Sequence, residues 1–536
     1  MAANPVSRPQ LEIATEQKTM PKTTMEGKIA ELHSKRAKIE QGGGKSRIEK
    51  HHAAGLLTAR ERVEKLVDPQ SFQEIGAFAK HRSTYFGMAD KDLPADGVVT
   101  GCARVDGRLL HLASQDFTVA GGAAGEVHCA KITDMMQLSL KTGSPFIFIN
   151  DSGGARVQEG IDSLAGYASV FYNNTLLSGT VPQISIICGP CAGGAAYSPA
   201  LTDFIIQTKK GRMFITGPSV IKQVTGEVVT SEQLGGPAAQ MNRSGVVHLI
   251  ADDDAGALSL CRRLLSFLPS NNLEETPRLP YNLPRESDPA LNQAVPVDAK
   301  VAYDVRTVIA RLLDYQDFFE IQPGFAANVV IGFGRIQGQT VGIVANQPCV
   351  LAGVLDIDAS DKVARFVRFC NAFNTPLVTF VDTPGFLPGI EQEYGGIIRH
   401  GAKMLFAYSG STVPKITVVL RKAYGGAYIA MCSKELGADR VVAWPTAEIA
   451  VMGAEGAAEI VFRHEIDAAE NKEQRRQELI ELYRNTFANP YVSAGRRLVD
   501  DVIEPAETSK YLAQALASVS SKRELRPPKK HGLIPL

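Results

Sequence analysis

A chain of 536 residues is too long for a single hydrophobic core and has room for two domains of roughly 200 residues plus extensions. Its 44% apolar and 21% charged residues are an ordinary globular composition. The 57 basic residues balance 57 acidic ones, which gives no reason to expect a nucleic-acid partner or an anionic membrane, while a local basic patch for a phosphate-bearing ligand stays open.

Residues 1–23 are polar and mixed, lack the apolar core of a secretory signal and read as a disordered N-terminus. No run of about 18 uninterrupted apolar residues occurs, so no membrane segment is expected. Eight cysteines, scattered and mostly within apolar segments, suit buried thiols in a reducing compartment and a cytoplasmic location. Helical spacing covers residues 25–39, and Gly42, Gly43 and Gly44 break it. Thr58 with Glu61 forms a capping-box pattern that starts another helix, which stops near Asp68 and Pro69. His51 and His52 beside it read as solvated polar residues. From Asp96 onward, β-rich runs at 107–117, 144–151 and 183–189 alternate with helical stretches such as 126–141. Residues 269–296, rich in Pro, Asn and Glu, read as a linker. The division expected is 24–285 for the first half and 286–536 for the second. The second half repeats the plan with β-rich runs at 340–348, 376–382 and 415–420, then a charged, solvated helix over 468–484.

That second half is a copy of the first. VVTGCARVDGR from Val98 aligns with VVIGFGRIQGQ from Val329, while Pro145 pairs with Pro376 and Asp151 with Asp382, all 231 residues apart. After one inserted residue, VPQISIICGPCAGGA from Val181 meets VPKITVVLRKAYGGA from Val413. Each copy thus drives a strand into a glycine pair, Gly193-Gly194 followed by Ala195 and Gly425-Gly426 followed by Ala427. A strand entering two glycines before a helix leaves backbone N–H groups open to a ligand, and such a pair can hold a developing oxyanion. Two copies suit a reaction in which two different molecules each place negative charge on an oxygen. A tight turn alone would explain one glycine pair, but it gives no reason to keep both.

Cys188-Gly189-Pro190-Cys191 has the spacing of a redox dithiol. The repeat argues against that role, because the second copy has Leu420, Arg421, Lys422 and Ala423 there and still keeps the glycines. The only tryptophan, Trp444, is remote in sequence, and no second Cys pair completes a zinc site, so no metal is expected.

The segments NDSGGARVQEG from Asn150, GPCAGGAAYSPALTDF from Gly189, MFITGP from Met213, VDTPGFLPG from Val381, EYGGIIRHGAK from Glu393 and RKAYGGAY from Arg421 carry a family resemblance. They resemble the carboxyltransferase β subunits of biotin-dependent acyl-CoA carboxylases. The similarity runs from about Thr24 to the terminal KKHGLIPL, and it extends to the transcarboxylase central subunit and the methylmalonyl-CoA decarboxylase α subunit. The resemblance implies an α/β fold of tandem duplicated crotonase-like ββα spiral domains. It implies a homo-hexamer, a trimer of dimers, whose active site joins the N-terminal half of one protomer to the C-terminal half of another. It further implies that carboxybiotin on a separate carrier protein gives its carboxyl group to the α-carbon of an acyl-CoA, with the biotin enolate accepting the α-proton.

On that resemblance Gly193, Gly194 and Ala195 hold the acyl-CoA thioester, and Gly425, Gly426 and Ala427 hold biotin. Ser152, Gly153, Gly154, Ala155 and Arg156 follow a strand where backbone amides and the guanidinium can face the CoA arm. Their repeat counterpart, which includes Gly385, Phe386 and Leu387, is more apolar and suits biotin's ring. Tyr197 and Tyr424 read as pocket walls, and Lys131 and Lys362, aligned across the repeat, as surface lysines of equivalent helices. Ile429 stands where dedicated propionyl-CoA carboxylases usually carry an acidic residue, which points to acetyl-CoA or a broader acyl range. The chain has neither an ATP-grasp glycine loop nor a biotinylation sequence, Ala402-Lys403-Met404 being a poor imitation, so biotin arrives on a carrier or biotin carboxylase subunit. Three alternatives remain at this stage. One is a decarboxylase or transcarboxylase subunit running the transfer toward biotin, one a silent scaffold, and one a crotonase-type hydratase that leaves the second glycine pair unused.

Overall fold

The computed structural model describes residues 24–281 and 286–536, so the expectation for residues 1–23, and residues 282–285 of the expected linker, lie outside the described residues. Helix α1 (Met25–Glu40) starts where Thr24 Oγ1 accepts from the Gly27 amide at 3.1 Å. Gly44 separates it from α2 (Lys45–Ala53), which the sequence pattern does not resolve as a helix of its own. Helix α3 (Ala59–Leu66) has the expected capping box, with Thr58 Oγ1 accepting from Glu61 N at 3.3 Å and Glu61 Oε2 from Thr58 N at 2.7 Å.

The first sheet contains β1 (Gln73–Glu74), β2 (Val98–Val105), β3 (Arg108–Gln115), β4 (Phe146–Ser152), β5 (Gln183–Ala192), β6 (Phe204–Thr208), β7 (Arg212–Phe214) and β8 (Leu249–Ala251). Their order is β1-β2-β3-β4-β5-β6-β8 with β7 on β5. The β1-β2 and β2-β3 pairs are antiparallel, and every later pair is parallel. The main helices of this half after α3 are α4 (Glu126–Thr142), α5 (Ile161–Leu177), α6 (Gly194–Ala200) and α7 (Asp254–Leu265). The second sheet, from β9 (Phe319–Ile321), β10 (Val329–Ile336), β11 (Gln339–Asn346), β12 (Leu377–Thr383), β13 (Lys415–Tyr424), β14 (Arg440–Ala443), β15 (Glu448–Ala450) and β16 (Asp501–Val502), has the same order strand for strand. Its main helices are α8 (Ile357–Ala372), α9 (Ile397–Gly410), α10 (Gly425–Ala430) and α11 (Lys472–Thr486).

The duplication extends to unfavourable backbone. Ala95 and Ala326 have φ of 51° and 42°, Asp106 and Gln337 of 49° and 50°, and Ala120 and Leu351 of 50° and 47°. Non-glycine residues seldom adopt this region, so matched corners of this kind mark one inherited backbone path. Parallel strands at the centre are buried on both faces, as β4, β12, β13 and all of β5 but Pro190 and Ala192 show.

The halves share a core. Phe204 on β6 meets Phe369 on α8 edge to face at 4.6 Å, and Phe267 stacks on Phe333 of β10 at 5.9 Å. On the far face of the second sheet, buried Trp444 donates from Nε1 to Thr508 Oγ1 at 2.9 Å. The charged helix expected over 468–484 begins later, because Asn471 caps α11 at Lys472 by accepting from Gln474 N at 3.1 Å. No helix among the described residues is long and apolar enough to cross a membrane.

Candidate active site

Each glycine pair sits where a central strand turns into a short helix. Strand β5 ends at Ala192, and Gly193 takes φ 60° and ψ −127°, a combination closed to residues with a Cβ. Gly425, after β13, has φ 57°. The Gly193 amide donates to the Phe214 carbonyl at 3.1 Å, which corrects its expected role as a ligand donor. Its part is conformational, and the open first-turn amides of α6 are those of Gly194 and Ala195. Their counterparts on α10 belong to Gly426 and Ala427. The second glycine of each pair rests on an aromatic ring. A Cβ on Gly194 would lie 3.3 Å from the Tyr167 ring, and one on Gly426 would lie 3.8 Å from that of Phe386. Tyr167 comes from α5 and Phe386 from the loop after β12, so sequence alignment of the halves does not reveal the equivalence.

Behind each pair lies a buried aspartate. In the first half Asp151 Oδ2 accepts from Arg62 Nη1 at 2.8 Å, and Arg62 Nε reaches Asp254 at 2.8 Å. In the second half Asp382 Oδ2 accepts from Arg421 Nε at 3.0 Å. Burial pushes both carboxyl groups up, and the neighbouring guanidinium opposes that shift. Arg421 stands in the repeat where Gly189 stands in the first copy, and a Cβ on Gly189 would come within 2.1 Å of Asp151 Oδ1. The same anion is thus matched from α3 in one half and from the strand itself in the other. The unlike Gly189 and Arg421 are the one sequence signal of this exchange.

The loop after β4 does not face outward as expected. Arg156 is buried, its Nη1 2.6 Å from both Asp96 Oδ1 and Glu159 Oε1 and its Nη2 2.8 Å from the Ala123 carbonyl. Both terminal nitrogens of this guanidinium are engaged inside the protein, and only Nε is without a partner among the described residues. The loop amides are also engaged, Gly153 N with Gly121 O, Gly154 N with Ser152 Oγ and Arg156 N with Ala124 O. Ser152 Oγ donates to Gly122 O at 2.7 Å, and Ala155 bridges to Ala124. The loop therefore offers a surface of small side chains, with the amides of Gly153, Gly154 and Arg156 already engaged. Its counterpart likewise bridges Phe386 to Leu355, and Leu387 N donates to Leu355 O. A Cβ on Gly385, at φ 144°, would meet nothing within 4 Å.

Lys131 and Lys362 are buried, 5% and 3% exposed, which corrects their reading as surface residues. Lys131 Nζ donates to the carbonyls of Ala95 and Val98, and Lys362 Nζ to those of Phe325 and Val329 at 2.6 and 2.9 Å. Each braces the strained corner that enters the first hairpin of its half. Burial pushes Lys131 down to about 8 and Lys362 to about 7. His51, expected in solvent, is also buried, with Nε2 3.6 Å from Asp151 Oδ2.

Tyr424 Oη donates to Glu448, which Arg484 approaches at 3.3 Å, so its ring is a pinned wall. Tyr197 is half exposed and meets Phe171 edge to face. Ile429, 45% exposed, lines a cavity of about 610 Å³ with Gly425, Gly426, Tyr483, Phe487 and Arg496. Cys188 and Cys191 are buried and free, and burial pushes both thiols well up. Cys191 Sγ donates to Ala195 O at 3.3 Å, a packing role. Among the described residues, no group of three or more His, Cys, Asp or Glu is placed to hold a metal ion.

The chain belongs to the family described as the carboxyl transferase domain, which it matches over residues 50–534, and it is an enzyme of that family. It is 59% identical over 513 residues to the methylmalonyl-CoA carboxyltransferase 12S subunit of Propionibacterium freudenreichii subsp. shermanii, covering 96% of this chain and 98% of that protein. It is 53% identical over 515 residues to the propionyl-CoA carboxylase carboxyltransferase subunit of Haloferax mediterranei, covering 96% of this chain and all of that one. Among solved structures it resembles a transcarboxylase 12S hexamer with methylmalonyl-coenzyme A and methylmalonic acid bound, at TM-score 0.95 and 59% identity over 96% of this chain and 99% of that one.

Proposed function

We propose that the protein is the carboxyltransferase component of a biotin-dependent acyl-CoA carboxylase, moving a carboxyl group from carboxybiotin on a carrier protein to the α-carbon of a short acyl-CoA such as acetyl- or propionyl-CoA. The observation that carries this is the pair of open first-turn amide sets at matched positions, Gly194 with Ala195 and Gly426 with Ala427. The first set receives the thioester oxygen and stabilises it as negative charge develops on enolisation. The second receives the ureido oxygen of biotin, which takes up the negative charge when the bond from the adjacent ring nitrogen to the carboxyl carbon breaks. The fit on that side rests on the 610 Å³ cavity, whose apolar walls Tyr483, Phe487 and Ile429 suit a bicyclic ring and its aliphatic chain. Tyr197, Ser152 and the small-residue surface of Gly153, Gly154 and Ala155 border the acyl-CoA side, with Gly385, Phe386, Leu387 and Tyr424 on the biotin side.

The two halves, 24–285 and 286–536, are crotonase-like ββα spiral units. Function requires a homo-hexamer in which the acyl-CoA half of one protomer faces the biotin half of another. Exposed Val157, Ile161, Leu164 and Tyr172 in the first half and Ile390, Tyr394 and Ile398 in the second supply apolar surface for that contact. The eight unpaired cysteines suit the cytoplasm.

The 12S relative favours a second reading, transfer from a malonyl-type thioester toward biotin, which uses the same amides in reverse. The full chain incubated with methylmalonyl-CoA and free biotin tests the shared chemistry. Biotin-dependent release of propionyl-CoA is expected, and release that ignores biotin contradicts the proposal.

A further inference from the structure

The short strand beside each glycine pair carries one charged residue that reaches forward to the helices following it, and the two halves use opposite signs. Strand β7 pairs with β5 in a register that sets Arg212 against Pro190, and β15 pairs with β13 in a register that sets Glu448 against Lys422. Pro190 and Lys422 align in the repeat, so Arg212 and Glu448 occupy one position of the duplicated fold. Arg212 Nη2 pairs with Glu232 Oε2, on the helix Ser231–Gly235. Glu448 Oε1 lies 3.3 Å from Arg484 Nε, in the last turn of α11. The residue before the first glycine changes along with the charge, from Ala192 to Tyr424. Only the tyrosine has a hydroxyl to donate to the strand, and it takes the second carboxylate oxygen, Glu448 Oε2.

The helices after β15 have a small apolar core of their own. Ala454, Ala458 and Ile480 form a buried cluster separate from the main core of that half, so a charged contact to the sheet has leverage on where α11 rests. Arg484 meets three carboxylates, with Glu481 at 3.0 Å and Glu455 at 3.6 Å besides Glu448. Glu481 belongs to α11 itself and Glu455 to the helix Ala454–Val461, so Glu448 is the contact of the three that leaves these helices for the sheet. Without Arg484 the three carboxylates lose their shared cation and repel one another. Arg484 stands between Tyr483 and Phe487, whose rings meet at 5.3 Å and line the cavity of about 610 Å³ with Gly426. We propose that Glu448 and Arg484 are positioning residues. The clasp Tyr424–Glu448–Arg484 holds α11 so that Tyr483 and Phe487 close the biotin side of the site, and it sets affinity there without touching the reacting atoms. This inference rests on the carboxyltransferase reading above.

The test uses the full chain with methylmalonyl-CoA as donor and free biotin as acceptor. Arg484→Met raises KM for biotin by about fivefold, the scale of a partly exposed ion pair, and keeps kcat at saturating biotin within about twofold. KM for methylmalonyl-CoA does not move. Glu448→Gln gives the same pattern, and Arg484→Lys, which keeps the charge, recovers most of the loss in biotin affinity. Arg212→Met breaks the matching pair of the other half and leaves KM for biotin unchanged. Hydrogen exchange read by mass spectrometry needs no turnover, and in Arg484→Met it is faster over residues 454–486 while the central strands keep their protection. An unchanged KM for biotin in Arg484→Met, equal changes in both KM values, or exchange raised throughout the chain overturns the positioning role. Wild-type turnover of methylmalonyl-CoA that ignores biotin overturns the proposed function instead, and faster exchange confined to residues 454–486 in Arg484→Met then still establishes the clasp.

Discussion

Replacing Gly193 by alanine gives the sharpest perturbation of the first amide set without touching its donors. The orientation of the Gly194 N–H is set by ψ of Gly193, which is −127° at φ 60°. The nearest region open to alanine at positive φ has ψ of roughly +45°, so a relaxed backbone rotates the following peptide by about 170° and turns the N–H away from the site. If packing instead holds the peptide in place, the strain costs about 1–3 kcal/mol of stability. The Gly193 amide is bonded to Phe214 O, which resists relaxation, so part of each cost is expected. Loss of one oxyanion donor corresponds to roughly a 100- to 1,000-fold fall in kcat. The assay is biotin-dependent turnover of methylmalonyl-CoA, with urea denaturation in parallel. Gly193→Ala that keeps turnover within twofold and unfolds at the wild-type midpoint refutes the reasoning.

Ile429 lines the biotin-side cavity, where the acyl group on the facing protomer would meet carboxybiotin, so Ile429→Asp should shift the ratio of kcat/KM toward propionyl-CoA over acetyl-CoA, whereas the wild type discriminates modestly, since one methylene is worth about 1–3 kcal/mol. An unchanged ratio removes Ile429 from acyl selection. Iodoacetamide labelling followed by mass spectrometry should modify exposed Cys349 first and spare Cys188 and Cys191 in the native protein. A native Cys188–Cys191 disulfide under oxidised glutathione contradicts the packing role. Burial holds Lys362 near 7, below the roughly 10.4 of an unfolded lysine, so between those values the unfolded chain binds more protons and stability rises with pH, by up to about 1.4 kcal/mol per unit. Lys362→Met should lose that rise between pH 7.5 and 9.5 in urea denaturation. Parallel pH profiles contradict it.

The strands, the duplication and both glycine pairs were legible in the sequence because each rests on local signals: apolar runs, turn residues and motif spacing. The structure adds that Gly193 and Gly425 both lie at positive φ and that the Gly193 amide is already bonded to Phe214 O. What stayed hidden depends on partners far along the chain. Arg156 reads as an exposed ligand group until Asp96, 60 residues earlier, folds against it. Nothing local sets Arg62 apart on its helix, since its carboxylate partner Asp151 is 89 residues away. Lys131 and Lys362 carry no local mark of burial, since the carbonyls that hold them lie 33 or more residues earlier. Helix α2 has no apolar stripe to mark it, since Ile48 and Ala53 are the only apolar residues among its nine.

Mixing two inactive variants tests the central claim, that each site joins one amide set from each of two protomers. Gly193→Ala disables the acyl-CoA half and Gly425→Ala the biotin half. In a mixed dimer one site carries both lesions and the other carries neither, so dissociation and random reassembly of equal amounts should restore about a quarter of the wild-type rate. Hybrids as inactive as either parent would show that the two glycine pairs do not act together across the protomer boundary.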